Sequence, residues 1–328
     1  MTLLRSILLR REAGIAAMIV LFVLAVSLYK PQFFTVNNLR VILLLTPLVM
    51  IAAMGQMLVL VARHVDLSMG SMLGLSAMIT GMMFRDMPEI PWGLGFVVAI
   101  GVGTLLGLIN GALVTVFRLP GIIVTLGTLN LYRGLTFIVS NARQVDRQFI
   151  PSELKAMSQT SPIFGVPWII FMAFGVAILT WWFVMHTRVG RQIFALGSNP
   201  VAAPLRGIKV TQVTLLVFAI AGALSGLAGI MYASRWGFVN PSNTGFGFEF
   251  QVIAAVVIGG VSINGGVGSV PGVVLGVLLM GCVSAALPLL GIPGTAQGAI
   301  YGAVILVALL IDRSVRQQGI ASLKRVRA

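Results

Sequence analysis

Apolar stretches as long as a bilayer is thick recur along the whole chain, and they limit its fold more than any other feature. A hydrocarbon core of about 30 Å needs about 20 apolar residues of helix to cross it, and only helices or closed barrels satisfy their backbone groups there. The 328 residues are 58% hydrophobic and 9% charged, whereas soluble domains are roughly 25% charged. We therefore expect an all-α polytopic membrane protein.

Ten such stretches are predicted, and Gly or polar residues interrupt three of them. The interrupted ones are the second, third and eighth, and some of these are expected to be half-helices or re-entrant segments. An even number of spans places both termini on one side. A single transmembrane domain over residues 1–328 accounts for the chain, with spans near 14–30, 42–62, 69–84, 93–117, 121–140, 167–185, 211–234, 249–260, 270–290 and 295–312.

The basic residues indicate the orientation, because Lys and Arg concentrate in the cytoplasmic loops of membrane proteins. With the N-terminus inside, fourteen of the 22 Lys and Arg residues are cytoplasmic. The segment 186–210 is one of these loops and holds four cations without an acid. The net charge of +14 therefore reflects orientation rather than nucleic-acid binding. Both termini are expected in the cytoplasm.

The segment 186–210 also carries the signals of a short surface helix. Asn199 suits an N-cap, Pro200 the first helical position and Gly207 a left-handed end. Pro204 limits the helix to a turn or a turn and a half. The small side chains of Ala202 and Ala203 leave one face of the helix without bulk, as close docking against another surface requires. Composition alone leaves an ordinary basic loop as the alternative.

Four motifs resemble the inner-membrane permeases of bacterial ABC importers for monosaccharides, the ribose/xylose/arabinose group. In chain order they are "ARHVDLSMGSMLGLSAM", "LPGIIVTLGTLNLYRG", "TRVGRQIFALGSNPVAA" followed by "GIKV", and "VIGGVSINGGVGSVPGVVLG". The likeness covers nearly the whole chain and is greatest to the rhamnose and autoinducer-2 permeases. It implies an importer architecture like that of vitamin B12 permeases, located in the bacterial inner membrane.

The resemblance also implies partners for the chain. These are a periplasmic sugar-binding protein, a second permease subunit, identical or related, and a cytoplasmic ABC ATPase with duplicated nucleotide-binding domains. ATP and Mg are expected on that ATPase and no cofactor on this chain, which lacks G-x-x-x-x-G-K-[ST]. The residues expected to couple to the ATPase are Arg188, Gly190, Arg191, Asn199, Pro200, Ala202, Ala203, Arg206 and Gly207.

Polar residues within or beside the spans are the candidates for a translocation path or gate, since polar groups in hydrocarbon are costly unless they face the bundle interior. Hydrogen bonds between helices are the alternative for each. Asp66 is expected to accept hydrogen bonds from free N–H groups at the start of the third span. Arg133 on the fifth span needs a carboxylate, carbonyls or water, and Glu249, near the outer mouth, is the candidate carboxylate. The candidates are Gln56, Asp66, Ser68, Asn110, Thr125, Asn130, Arg133, Glu249 and Gln251.

Other functions have weaker support in the sequence. An ion-coupled secondary transporter needs carboxylates in the spans, and only Asp66 and Glu249 qualify. The hydroxyl residues have no His and acid constellation, and His64 and His186 lack ligand spacing, so neither a catalytic nor a metal site is predicted. The glycine-rich stretch 259–272 is interpreted as close helix packing or an unwound span rather than a dinucleotide loop.

Overall fold

The computed structural model describes residues 11–160, 165–307 and 310, and most of them are helical. Thirteen α-helices are present in these ranges. Their bounds are α1 Arg11–Tyr29, α2 Val36–Val61, α3 Met69–Asp86, α4 Leu94–Val116, α5 Gly121–Ser140, α6 Ser152–Gln159, α7 Trp168–His186, α8 Arg188–Ser198, α9 Ala202–Leu205, α10 Val210–Trp236, α11 Phe248–Ile258, α12 Val270–Leu289 and α13 Gln297–Val307.

Seven of these helices are long and apolar enough to cross a membrane, namely α1, α2, α4, α5, α7, α10 and α12. The all-α polytopic fold is thereby confirmed. Each predicted span contains a helix, but α11 and α13 are short in the described ranges, so ten spans remain a prediction. The eighth span is a half-helix, α11. The expected interruption of the second span is wrong, because α2 runs unbroken for 26 residues.

The centre of the bundle is formed by α2 and α10, and α4 packs closely along α10. The contact between α4 and α10 is glycine on glycine, with Gly103 and Gly107 facing Gly222 and Gly226. A Cβ at Gly103 would collide with the carbonyl oxygen of Gly222. Small residues let helix backbones approach this closely, and the approach gains dispersion contacts and stabilises the pair in lipid.

The two ends of the bundle differ in charge and in the loops they carry. The basic end, as it is called below, holds Arg63 after α2, Arg118 after α4, and the basic segment that contains α8 and α9. The far end holds Asp86 and the segment 141–160, which is joined to the chain after α10 by an antiparallel bridge between Val145 and Val239. Residues that are distant in sequence thus meet at each end.

Two chain segments enter the bundle without regular structure. Residues 62–68 lead from the basic end to the start of α3, and residues 238–247 lead from the far end to the start of α11. The first two turns of α3 meet the second segment inside the bundle, because Gly70 lies against Gly245 and Glu249, and Gly74 against Thr244. Both α3 and α11 therefore begin within the bundle, which is the arrangement of a discontinuous helix pair.

Candidate functional site

The segment 186–210 contains the short helix that its sequence predicts, α9, and before it the helix α8, which was not predicted. The Thr187 hydroxyl accepts a hydrogen bond from the Gly190 N–H at 2.9 Å at the start of α8. The Asn199 amide oxygen accepts one from the Ala202 N–H at 3.0 Å, and Gly207 has a φ of +76°. The Asn199 side chain therefore caps the turn that leads into α9, and Gly207 has the predicted left-handed conformation, but Pro200 lies in that turn and not at the predicted first helical position.

The outward face of α9 differs from the one predicted. Ala203 is only 3% exposed, so its low face contacts this chain and not a partner. The most exposed apolar side chains of the segment are Val201 at 80% and Leu205 at 86%. Arg188, Arg191 and Arg206 are exposed as well. A partner at this end would therefore meet Val201 and Leu205, flanked by cations.

The segment is anchored where two other stretches of the chain meet. Gly197 lies against the backbone of Val61 at the end of α2, and the Gly266 N–H donates to the Val61 carbonyl at 2.9 Å. Gly266 has a φ of +73°, which favours glycine, and a Cβ there would collide with Ser198. The close packing predicted for the glycine-rich stretch is found here. The segments 61–66, 188–207 and 259–269 thus form one junction.

A chain of buried hydrogen bonds ties the start of α3 to α4 and α5. One Asp66 carboxylate oxygen accepts the Ser68 N–H at 2.8 Å and the Ser68 hydroxyl at 2.7 Å. The Asn110 amide donates to the Ser68 hydroxyl at 2.8 Å, and the Tyr132 hydroxyl lies 3.0 Å from the Asn110 amide oxygen. Asp66 therefore accepts from the start of α3 as predicted. Thr125 completes the attachment by donating to the Val65 carbonyl at 3.1 Å.

Tyr132 was not among the predicted residues, although a sequence signal for it exists. Thr125, Thr128, Tyr132 and Thr136 recur at helical spacing and form the buried polar face of α5. Tyr132 is one of the largest fully buried side chains in the protein. A stripe of hydroxyl groups on an otherwise apolar helix marks the face that contacts other polar groups.

The predicted ion pair between Arg133 and Glu249 is wrong. The described residues show no ion pair between Arg133 and Glu249. Arg133 instead donates to the Thr244 carbonyl at 2.7 Å and lies 5.8 Å from the centre of the Phe246 ring. Glu249 is 6% exposed in the first turn of α11, beside Gly70. Arg133 therefore holds the re-entrant segment 238–247 through Thr244, whereas the buried Glu249 Oε2 has no hydrogen-bond partner in the described part of the chain.

The other predicted polar residues lie in three different surroundings. Gln56 is fully buried in α2, and its amide has no hydrogen-bond partner in the described part of the chain. Asn130 is exposed on α5 and donates only to Leu126 of its own helix. Gln251 donates to Ser284 at 3.4 Å beside a separate cavity. The candidate residues thus do not form one compact site.

His64 lies at the basic end, beyond the end of α2. Its ring contacts Gly121, the first residue of α5, and stands 5.7 Å from the ring of Phe218. Burial lowers the pKa of His64 below its ordinary value of 6.5, since the charged form loses hydration there. The imidazole is therefore neutral at pH 7 and packs as an uncharged ring.

These features define the class of the protein before any comparison. Helices that begin inside the bundle, polar groups gathered at the breaks and a structured basic segment at one end are the architecture of a membrane transporter. The described helices supply several apolar spans around that arrangement.

Comparison with known proteins gives the family. The chain matches the family described as "Branched-chain amino acid transport system / permease component" over residues 38–309. It is 38% identical over 298 residues to the ribose import permease protein RbsC of Haemophilus influenzae, covering 90% of each chain. It is 33% identical over 312 residues to the autoinducer 2 import system permease protein LsrC of Photorhabdus luminescens, covering 94% of this chain and 91% of the relative. No solved structure matches. The chain belongs to this family of membrane permease components.

Proposed function

We propose that the chain is the permease subunit of an ABC importer that carries a monosaccharide or a similar small furanose into a bacterial cell. The family description names branched-chain amino acids, but relatives with 33–38% identity over at least nine tenths of this chain are named for ribose and autoinducer 2. The four sequence motifs agree with this narrower group. The proposed function of the chain is transport, and no catalytic residue is assigned to the chain.

The junction at the basic end is the observation that carries the proposal. Val201 and Leu205 project from a short helix whose inner residue, Ala203, is packed against the chain. The same segment contacts the end of α2 and the loop before α12 through Gly197 and Gly266. A partner that holds the exposed side chains can thus displace both helix ends together. That partner is the ATPase with duplicated nucleotide-binding domains, which supplies ATP and Mg.

The orientation follows from the same end of the molecule. Its exposed cations suit the cytoplasmic face of a bacterial inner membrane, where basic loops collect. Both termini then lie in the cytoplasm, and the far end faces the periplasm and the sugar-binding protein. The cations concerned are Arg63, Arg118, Arg188, Arg191, Arg206 and Lys209.

The translocation path is assigned to the outward face of α5. Gly127, Asn130 and Gly134 are exposed along this helix, and a Cβ at either glycine would meet no atom within 4 Å. An exposed amide on a membrane helix faces water or a partner rather than lipid. A second permease subunit facing α5 would enclose a path along Asn130. The buried chain from Asp66 to Tyr132 holds the inner side of α5 and positions the gate.

Leu205→Glu tests the coupling role in the complete complex. In proteoliposomes that contain the ATPase and the binding protein, we expect ATP-driven uptake to fall at least tenfold and the ATPase to be lost on purification. The reason is that a carboxylate replaces an apolar contact at the centre of the docking surface. D-Ribose, L-rhamnose, autoinducer 2 and leucine are the substrates to compare.

Met87→Glu is the matched control, since Met87 is 58% exposed at the far end, and it should retain ATPase binding. Full uptake and ATPase retention by Leu205→Glu would contradict the coupling role. Uptake that needs an ion gradient and no ATPase would favour a secondary transporter. Uptake of leucine alone would assign the amino-acid class.

A further inference from the structure

A cavity of about 550 Å³ lies between α2, α10, α11, α12 and α13. Its lining reaches the far end, where Asn38 lies in the first turn of α2, Trp236 ends α10 and Gln297 begins α13. Its floor is the re-entrant segment, where Gly247 and Phe248 lead into α11. The cavity therefore runs from one end of the bundle to the point where α11 begins, inside a single copy of the chain.

Polar groups line the cavity along its depth. Ser284 and Tyr301, only 7% and 6% exposed, have their hydroxyl oxygens 2.8 Å apart. The Gln251 amide lies 3.4 Å from the same Ser284 hydroxyl. Asn243 contributes another amide from the re-entrant segment. These groups are separate from the Asp66 chain and from the basic junction, so neither explains their presence among apolar helices.

The lining contains one charged residue, Arg235, and no acid. The Arg235 Nε is buried and has no hydrogen-bond partner among the residues that the structure describes, while its guanidinium group lies 5.5 Å from the centre of the Trp236 ring. Buried donors in native proteins nearly always have an acceptor. A hydrogen-bond acceptor on a bound molecule would satisfy the Arg235 Nε donor. A cationic solute is disfavoured, since it would meet Arg235 without a compensating carboxylate.

The chemistry of the lining suits a small ring with several hydroxyl groups. Amides and hydroxyls can each donate and accept, as a sugar hydroxyl does. Tyr232, Trp236 and Phe246 add aromatic surface, on which the C–H face of such a ring can pack. Small-molecule sites have volumes of about 300–1,000 Å³ and combine mostly apolar walls with a few convergent polar groups. The cavity has that size and composition.

We propose that this cavity is a solute site inside the permease, which takes a neutral polyhydroxylated ring before it crosses the barrier. The substrate class rests on the proposed function. At its floor the cavity reaches Gly247 and Phe248, where α11 begins. The same re-entrant segment is held by Arg133 through Thr244. A solute at the floor thus contacts the segment that is attached to α5.

Fluorescence of Trp236 reports directly on the cavity. The test uses the full chain in lipid nanodiscs with Trp92, Trp168, Trp181 and Trp182 changed to Phe, titrated with D-ribose, L-rhamnose and autoinducer 2. We expect the transported solute to quench Trp236 saturably. Gln251→Leu and Asn243→Ala should each raise its Kd at least tenfold and raise the KM for uptake by the complete complex. Gln212→Leu, exposed at the basic end of α10, is the control and should change neither.

The outcomes separate this site from the proposed function. A transported solute that fails to quench Trp236, or a Kd and KM unchanged in both cavity variants, would overturn the site. A phospholipid retained in native mass spectra and released by Arg235→Gln would overturn it too, because the cavity would then hold lipid. Saturable quenching without uptake of any of the three solutes would support the site and overturn the proposed function.

Discussion

At the residue scale, Ser68 and Ser76 show how much a buried hydroxyl depends on its partners. Both are fully buried. The Ser68 hydroxyl donates to Asp66 and accepts from Asn110, whereas the Ser76 hydroxyl has no partner in the described part of the chain. Removing a hydroxyl leaves unsatisfied groups behind only where it was bonded.

Ser68→Ala should therefore destabilise the protein, and Ser76→Ala should not. The first leaves Asp66 and Asn110 each short of a partner, at a cost of about 1–3 kcal/mol. The second removes an unpartnered polar atom and should leave stability unchanged or slightly higher. Thermal unfolding of both variants in one detergent measures the difference. Equal midpoints for the two would contradict the role given to the Asp66–Ser68–Asn110 chain.

The range of a contact decides which residue interactions the sequence can predict. Asp66 bonds to a residue two positions away, so the local motif already contains both partners. Arg133 bonds to a carbonyl 111 residues away, and every residue offers a carbonyl. The charge of Arg133 favoured Glu249 as its partner, because Glu249 is the acid expected at a similar depth in the membrane. In the structure a backbone carbonyl of the re-entrant segment is the acceptor instead. Backbone acceptors in irregular segments leave no trace in the sequence.

At the element scale, the contact between α4 and α10 depends on glycine at particular positions. Gly101 and Gly103 are two residues apart on α4, but only Gly103 faces α10. A Cβ at Gly103 would meet the backbone of Gly222 and Gly226, while one at Gly101 would meet nothing within 4 Å. The two positions form a natural matched pair.

Gly103→Ala should separate the two helices, because backbone atoms cannot yield as a flexible side chain does. We expect a loss of roughly 1–3 kcal/mol, as for overpacking in a tight core, and a lower yield of folded protein. Gly101→Ala should be neutral or more stable by up to about 1 kcal/mol, because alanine favours helix. Unfolding midpoints and monodispersity measure both. A destabilised Gly101→Ala with a normal Gly103→Ala would refute this packing.

The positions of the helices could be predicted, because an apolar run long enough to span a membrane is visible in the local sequence. Whether a helix continues without a break could not be predicted. Gly55 and Gln56 suggested a break in the second span, yet α2 is continuous there. Gly55 is required by packing, since a Cβ would lie 2.8 Å from the Ala221 Cα. In α11 the break is real, because the chain enters the bundle before the helix starts. Only the three-dimensional neighbours distinguish the two cases.

At the scale of the whole molecule, the junction at the basic end joins parts that the sequence presents as separate motifs. The end of α2, the segment 188–207 and the loop 259–269 are far apart in the chain and meet through Val61, Gly197 and Gly266. The sequence motifs predicted a functional role for each of these three stretches. They did not predict that the stretches contact one another. Their contact joins α8 to Val61, the residue directly before the segment 62–68.

The proposed orientation of the molecule predicts that its two ends label from opposite sides of the membrane. Ser198 is exposed at the basic end and Ser152 at the far end, so each can carry a single cysteine once Cys282, which is buried, is changed to Ala. Ser158 would be a poor choice, since it is 3% exposed and its hydroxyl lies 2.7 Å from that of Ser234. An impermeant maleimide added to spheroplasts should label Ser152→Cys at once and Ser198→Cys only after lysis, because basic loops stay in the cytoplasm. Labelling of both cysteines in intact spheroplasts would place α8 outside, where no ATPase could reach it.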